Sequence, residues 1–262
     1  MAVDIGEMLD RLLTEGAHHF DDTHDYRLTM IPLGTVALPT GHVVACDPLS
    51  RPGEMPPFTV TVPPGRYNLR AWVAVSQPAR RSAGTPAPGP GRAAAAPVRD
   101  RTGQHAGSPR SPGHRGASPR TSAGDPSVRH GPEADRRTAA LQLVVRDEPV
   151  ASWEPAIPAE AGPSFRDEDG FFAYPADCGA ATLADQRALT ALEAWPYERV
   201  EETYLPDPSP PAPAALGAVT DPATGANVVA VGTGWEDGGY ATFVGRTARG
   251  EVAAFVTDFR VI

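Results

Sequence analysis

The sequence predicts a mainly β protein of the α+β class, an antiparallel β-sandwich or open barrel with one or two packed helices and a long disordered insert. Apolar and polar residues alternate over several short segments, and turns rich in Pro and Gly separate those segments. The middle of the chain, in contrast, has almost no residue that can build a core. These observations divide the chain into a first β-rich part with an N-terminal helix (1–77), the insert (78–137) and the remainder of the same domain (138–262).

Length and composition exclude several classes of protein. None of the apolar runs in the 262 residues approaches the ~20 residues of a membrane helix, so we expect no contact with a membrane. The acidic start lacks the positive and apolar regions of a signal peptide. The 2 cysteines, Cys46 and Cys178, cannot form a disulfide framework. We therefore expect a cytoplasmic protein.

The first part of the chain reads as a short helix followed by strands. The helix is predicted over Ile5–Leu13. Strong turns at Pro39–Gly41 and Pro63–Gly65 separate the segments that follow. Alternation of apolar and polar residues predicts strands over Gly34–Leu38, His42–Cys46, Phe58–Val62 and Tyr67–Val75.

The insert over residues 78–137 differs in composition from the rest of the chain. Its 60 residues include 10 Pro and 9 Gly, and their formal charge is +7, whereas the other 202 residues carry −16. The alternatives are a solvated linker, a shifted reading frame of GC-rich DNA, and a functional segment with phosphorylation sites at Ser108 and Ser118. The insert has no aromatic residue to stack on bases, which argues against nucleic acid as a partner.

The two flanks of the insert predict a single hairpin. Tyr67–Val75 and Thr138–Val145 both have the strand pattern, and a short loop between them would make an ordinary pair of strands. Further strands are predicted over Asn227–Val231, Tyr240–Gly245 and Glu251–Ile262. The last has apolar residues on both faces, which indicates a strand covered on both sides. A second helix is predicted from a Thr182 cap to Trp195, closed by Pro196.

Two short segments contain candidate binding or metal-ligating residues. The loop Gly232–Tyr240 has the glycines of a tight turn and presents Trp235, Asp237 and Tyr240, but a strand follows it where a dinucleotide site needs a helix. His18, His19 and His24 are weak candidates for a metal site, because adjacent ligands on a short segment point apart.

The other motifs indicate no specific chemistry. Asp167–Gly170 reads as an acidic turn, and both cysteines, beside acidic neighbours, read as small buried side chains. The chain has no nucleophile elbow, phosphate-binding loop or zinc-protease motif, and we expect no cofactor.

Several segments together resemble the domain of unknown function 4241 family, found mainly in bacteria. They are Leu38–Pro48, Val62–Tyr67, Arg146–Glu154, Tyr174–Gly179, Gly234–Tyr240 and Val256–Phe259. The resemblance implies that residues 78–137 have no counterpart in the family, that a small residue is usual at Cys178 and that Gly is usual at Glu236. It implies no activity, and its recurring residues supply candidates for binding: Asp47, Asp177, Trp235, Asp237 and Asp258.

Two hypotheses of different class follow. The first is a non-catalytic recognition module of an uncharacterised bacterial family, with a basic protein as partner, because the body is acidic and no catalytic motif is present. The second is a metal-dependent or acid–base hydrolase that uses clustered aspartates. Asp47, Asp177, Asp237 and Asp258 gathered in one cleft would favour the hydrolase, whereas separate aspartates bonded to local backbone amides would favour the module.

Overall fold

In the computed structural model, the described residues, which are 4–20, 24–50, 52–78, 135–160, 166–167 and 169–262, form twelve strands and three helices. The helices are α1 (Ile5–Leu12), α2 (Gln186–Glu193) and α3 (Tyr197–Tyr204). The strands are β1 (His18–Phe20), β2 (His24–Leu38), β3 (Val43–Cys46), β4 (Gly65–Pro78), β5 (Arg136–Val144), β6 (Ser152–Pro155), β7 (Ala173–Ala176), β8 (Ala180–Asp185), β9 (Leu216–Asp221), β10 (Ala226–Gly232), β11 (Gly238–Arg246) and β12 (Val252–Asp258).

The strands form two antiparallel sheets. The larger has the order β1-β2-β4-β5-β12-β11-β6, with β7 also paired to β11, and the smaller has the order β3-β8-β10-β9. Together they make a half-barrel, so the predicted mainly β fold with an open barrel is confirmed. Among the described residues, no helix has the length and apolar character needed to cross a membrane.

The strands and helices enclose two apolar cores. The first lies between the sheets and includes Leu69, Leu141 and Phe255, while the second lies between the smaller sheet and α2 and α3 and includes Leu189 and Tyr204. The smaller sheet is therefore covered on both faces. This is why β8 consists of six buried residues, an arrangement that small side chains such as Ala permit.

The predicted pairing of the two flanks of the insert is confirmed. β4 pairs antiparallel with β5 from Asn68 opposite Val144 to Val75 opposite Arg136. The predicted disorder of residues 78–137 falls almost wholly outside the described residues. At the margins that are described, Pro78 ends β4, and Arg136 and Arg137 begin β5, so these three residues belong to the sheet and not to the insert.

Three other predictions of elements need correction. Thr182 does not cap a helix, because Ala180–Asp185 is a strand; α2 begins at Gln186, and the Oδ1 of Asp185 caps it by accepting from the Arg187 N–H at 2.9 Å. Phe58–Val62 makes isolated bridges to Pro158 and His42 and not a strand. Pro196 precedes a further helix, α3, which the sequence analysis did not predict.

The N-terminal helix is close to its prediction. Asp4 caps α1 through its Oδ1, which accepts from the Glu7 N–H at 3.2 Å. Leu9 and Leu12 share one face of the helix and are buried against the first core. The helix therefore covers part of the larger sheet, near the end of β12, with its polar residues towards solvent.

Candidate functional site: an acidic hollow beside the N-terminal helix

Asp258 stands where the central strand β12 ends. β12 lies between β5 and β11, and its residues from Ala253 to Asp258 are buried. Asp258 is only 9% exposed, and its Oδ1 accepts from the Arg260 N–H at 2.8 Å. Arg260 has a φ of 55°, a left-handed conformation that is rare outside glycine, so the chain turns sharply just after the carboxylate.

A hollow of about 270 Å³ opens between Asp258 and α1. It combines acidic, basic and apolar side chains from the helix, from β1 and from the last residue of the chain. Its wall consists of Asp4, Glu7 and Asp258, of Arg11 and His19, and of Met8, Leu12 and Ile262. Negative groups outnumber positive ones in this wall, and the apolar residues lie on the helix side and at the C-terminus.

A second hollow of about 220 Å³ shares Asp258, Met8 and Ile262 with the first. The guanidinium of Arg260 lies in its wall and donates to Asp167 Oδ2 at 2.6 Å and to Asp169 Oδ2 at 3.4 Å. The predicted acidic turn is thereby tied to the end of β12. Of the carboxylates that the structure describes, Asp258 alone lines both of these hollows.

Burial determines the charge of Asp258. Desolvation disfavours the ionised form and raises the pKa of this carboxyl to about 6, although the Arg260 N–H and the positive charge of Arg260 act in the opposite direction. Asp258 is therefore mostly an anion at neutral pH and becomes protonated in mild acid. Among the described residues, the hydrogen bond to its carboxylate is the one that Oδ1 accepts from the Arg260 N–H.

His19 lines the same hollow, but its Nε2 is enclosed by the protein. This nitrogen has no hydrogen-bond partner in the described part of the chain. Burial, followed by the charge of Arg11, lowers the pKa of His19 below 6.5, while a hydrogen bond to the Arg11 backbone acts in the opposite direction. The imidazole is therefore neutral at pH 7.

Arg260 connects Asp258 to the predicted binding loop Gly232–Tyr240. The Arg260 carbonyl accepts a hydrogen bond from Trp235 Nε1 at 2.9 Å. The Trp235 ring is 48% exposed, and the Arg137 guanidinium stacks over it at 4.1 Å from the ring centre. Arg137 also donates to the Gly234 carbonyl at 3.2 Å. Neither arginine is predicted from the sequence as part of a site, because no local pattern shows that β5 and the residues after β12 meet this loop.

Three of the predicted aspartates lie elsewhere, around Cys178. Asp47 is buried, and its carboxylate accepts from the N–H groups of Cys178 at 2.7 Å and Leu49 at 2.9 Å. Burial raises the pKa of the Cys178 thiol, and the charges of Asp47, Asp177 and Asp237 raise it further, which places these carboxylates near the sulfur. Cys178 is exposed, so its prediction as a buried side chain was wrong, whereas Cys46 is buried as predicted.

The remaining candidates have structural contacts. Tyr240 is buried, its hydroxyl donates to the Glu236 carbonyl at 3.2 Å, and its ring packs edge-on to Phe259 at 5.2 Å between centres. Glu236, at φ 67°, occupies a left-handed turn that favours the Gly implied by the family resemblance.

The four aspartates therefore do not share one cleft. Asp258 lines the two hollows beside α1, and Asp47, Asp177 and Asp237 line neither of them. Among the weak metal candidates, His18 Nδ1 is 3.1 Å from Asp25 Oδ1, His19 lines the first hollow, and the side chain of His24 is outside the described residues. Within the described ranges, no three His, Cys, Asp or Glu side chains are grouped so that they could hold a metal ion.

Comparison with known proteins identifies a family. The family described as "Protein of unknown function (DUF4241)" matches residues 36–97 and 124–257, about three quarters of the chain. Residues 98–123 fall outside the match, a shorter stretch than the 78–137 that the resemblance implied. Searches of the curated proteins and of the solved structures found no match. The resemblance noted in the sequence is confirmed, and the chain belongs to the DUF4241 family of proteins of unknown function.

Proposed function

We propose that this protein is a non-catalytic recognition module that binds a basic protein partner through the acidic hollow beside α1. One observation carries the proposal: Asp258 lines the hollow and is almost wholly buried, and the only hydrogen bond given to its carboxylate among the described residues comes from the Arg260 N–H. A buried charge that is so little compensated is costly. A cation supplied by another molecule would compensate that charge.

The charge of the molecule supports a basic partner. Residues outside 78–137 carry a formal charge of −16. Asp4 and Glu7 are exposed at the hollow and extend this negative field to its mouth. Such a field speeds the approach of a positive surface and repels a negative one.

The placement of the aspartates also supports the module over the hydrolase. The hydrolase hypothesis needed Asp47, Asp177, Asp237 and Asp258 in one cleft, and they lie in two places. Asp47 and Asp258 accept hydrogen bonds from backbone amides close to them, as expected of residues that shape turns. Two titratable side chains, Asp258 and His19, nevertheless line one hollow, and acid–base catalysis would need such a pair.

Affinity capture with matched variants tests this function. The wild-type protein and the variants Asp258→Asn and Glu202→Gln would be used to capture proteins from the native host. Each variant removes one negative charge, but Glu202 is an exposed residue of α3 that lines neither hollow. We expect one basic protein to be retained by the wild type and by Glu202→Gln and to be lost with Asp258→Asn.

Two results would contradict the proposal. Equal retention by Asp258→Asn would show that the hollow is not the binding site, and an acidic partner would contradict the assigned charge. Chemical conversion of the captured partner by the wild type but not by Asp258→Asn would favour the enzyme instead.

We further propose that the protein acts in the cytoplasm of a bacterial cell. Its support is the pair of free cysteines, one of them exposed, which suits a reducing compartment. Fractionation of host cells, with the protein followed by an antibody, tests this location, and recovery from the periplasm or medium would contradict it.

A further inference from the structure

We propose that the protein binds one internal water molecule, held between the phenol of Tyr174 and the hydroxyl of Thr242. This inference goes beyond the proposed function and does not depend on it, because the water site and the hollow at Asp258 share no residue. Four features support the water site: its place in the sheet, a buried phenol without a partner, a pair of threonine hydroxyls and the size of the enclosed space.

The site lies where strand β11 changes its partner strand. The first half of β11 pairs with β7, up to Ala241 opposite Ala173, and the second half pairs with β6, from Phe243 opposite Pro155. Thr242 stands between these two sets of pairs. A slot of about 10 Å³ lies at this break between β6 and β7, and its wall includes Ala173 and Thr242.

Tyr174, which also lines this slot, has a phenol without a partner. The residue is 3% exposed, and its oxygen is enclosed and has no hydrogen-bond partner among the described residues. Burial raises the pKa of Tyr174 well above its ordinary value, so the phenol keeps its proton and is a donor at neutral pH.

The Thr257 hydroxyl is close to the Tyr174 phenol but does not satisfy it. It lowers the pKa of Tyr174 and thus acts against burial, yet the two hydroxyls do not meet in hydrogen-bond geometry. Buried polar groups are nearly always bonded to a protein group or to an ordered water. A water is therefore the expected partner of this phenol.

Thr242 and Thr257 supply the other side of the water site. Their hydroxyl oxygens lie 2.8 Å apart on the neighbouring strands β11 and β12, and both residues are buried. A hydroxyl donates one hydrogen bond and accepts up to two, so the pair keeps a donor and acceptors after its mutual bond. A water that accepts from the Tyr174 phenol and bonds this pair gives each of the three hydroxyls a partner.

The size of the slot suits a water and no larger ligand. A single water needs roughly 10–15 Å³, and the slot offers about 10 Å³. Apart from the two hydroxyl residues, its wall is apolar, with Met55, Phe58 and Phe172 among its members, except for the exposed Glu160. Because an ordered water needs at least two polar partners, both the phenol and the threonine pair are required to hold it.

Relaxation dispersion of water oxygen-17 in solutions of the full-length protein tests the inference. This measurement counts long-lived internal waters and does not detect exchanging hydroxyl protons. We expect Tyr174→Phe to hold one such water fewer per molecule than the wild type, because the threonine pair alone cannot retain it. Thr242→Val keeps the shape of the side chain but removes its hydroxyl, and it should lose the same water.

Tyr240→Phe is the matched control. Tyr240 lies opposite Tyr174 in the pairing of β7 with β11, but it does not line the slot. Its hydroxyl already donates to the Glu236 carbonyl at 3.2 Å. This variant also removes one phenol hydroxyl, and we expect it to hold as many waters as the wild type.

Nuclear Overhauser effects between water and methyl groups locate the counted water. The methyl groups of Ala45 and Ala173 belong to the two sheets and both residues line the slot. We expect both methyl groups to contact water in the wild type and in Tyr240→Phe, and neither to contact it in Tyr174→Phe.

Three results would overturn the inference. One is an equal number of waters in the wild type and in Tyr174→Phe, which would make Thr257 the direct partner of the phenol. Another is the absence of a water contact at both methyl groups of the wild type. The third is a loss in Tyr240→Phe as large as that in Tyr174→Phe, which would indicate a general loosening of the core. If Tyr174→Phe does not fold, Thr242→Val takes its place in these comparisons.

Discussion

Asp258 has an energetic consequence for folding as well as for binding. Its pKa of about 6 in the folded protein lies above the value of about 3.9 for an exposed aspartate. Between these values the folded protein binds more protons than the unfolded chain. Ionisation of Asp258 therefore destabilises the fold: the penalty is fully present above about pH 6 and disappears as the pH falls through the unfolded value.

The variant Asp258→Asn should reveal this penalty. Its amide oxygen can still accept from the Arg260 N–H, but it carries no charge. When the pH is lowered from 7.5 to 4.5, we expect the free energy of unfolding of the wild type to rise by about 2 kcal/mol relative to that of the variant. Urea unfolding at both pH values measures the difference. Asp10→Asn should follow the wild type at both pH values, and a difference for Asp258→Asn that does not change with pH would contradict the assigned pKa.

At the scale of residues, the sequence allowed only part of the site to be predicted. The family resemblance makes Asp258 and Trp235 candidates, the glycine-rich loop makes Trp235 and Tyr240 candidates, and His19 is only a weak metal candidate. Arg260 and Arg137 were missed, because their role depends on the distant loop that they contact. A single arginine after a strand is a common surface residue, so nothing local distinguishes it.

Asn227 links the two sheets at the scale of elements. This residue of β10 in the smaller sheet accepts from the Ala37 N–H at 2.9 Å and donates to the Thr35 carbonyl at 3.0 Å. Both partners belong to β2 of the larger sheet. The register of β2 with β4 shifts between Pro32 and Thr35, so the side chain of Asn227 bonds the strand just beyond this irregularity.

Removal of this link should be costly. We expect Asn227→Ala to lower the free energy of unfolding by about 2 kcal/mol, because two hydrogen bonds between the sheets are lost, one of them to the partly buried Ala37 N–H. Asn68→Ala, at an exposed position of β4, serves as the control and should change stability by less than about 0.5 kcal/mol. Chemical unfolding measures both variants, and equal losses would show that Asn227 does not join the sheets energetically.

The predictions of elements failed where packing overrides local preference. The alternating segments Tyr67–Val75 and Thr138–Val145 were assigned correctly, because one face of each meets the core. The Thr182 cap predicts that the helix includes residues 183–185, yet Ala180–Asp185 is a strand in the middle of a sheet with both faces covered. A local capping pattern cannot show that a second layer will cover a strand.

The ends of β4 and β5 lie side by side at the scale of the whole molecule. The Ser76 N–H donates to the Asp135 carbonyl at 2.8 Å, so the chain leaves and re-enters the body at one place. A two-residue turn can join antiparallel strands at such a place. The body needs no residue between 79 and 134 to complete this pair of strands.

Replacement of residues 80–133 by an Asn-Gly turn should therefore leave the body folded. Shortening a connection of this length lowers the entropy cost of closing it by up to about 2 kcal/mol. We expect a melting temperature equal to or higher than that of the full chain, measured by calorimetry. Deletion of 80–137 removes Arg136 and Arg137 from β5 and is the contrasting variant, which we expect to melt at a lower temperature. A loss of many degrees in the shorter deletion would show that the segment contributes to packing.

The two thiols of the chain differ in access to solvent. Cys46 is fully enclosed by the second core, whereas Cys178 is open to solvent among three carboxylates. A maleimide dye would thus attach at a single sulfur, and slowly below the raised thiol pKa. The label would sit beside the turn that contains Asp237 and outside the wall of the hollow at Asp258, so it could report a bound partner without obstructing the carboxylate.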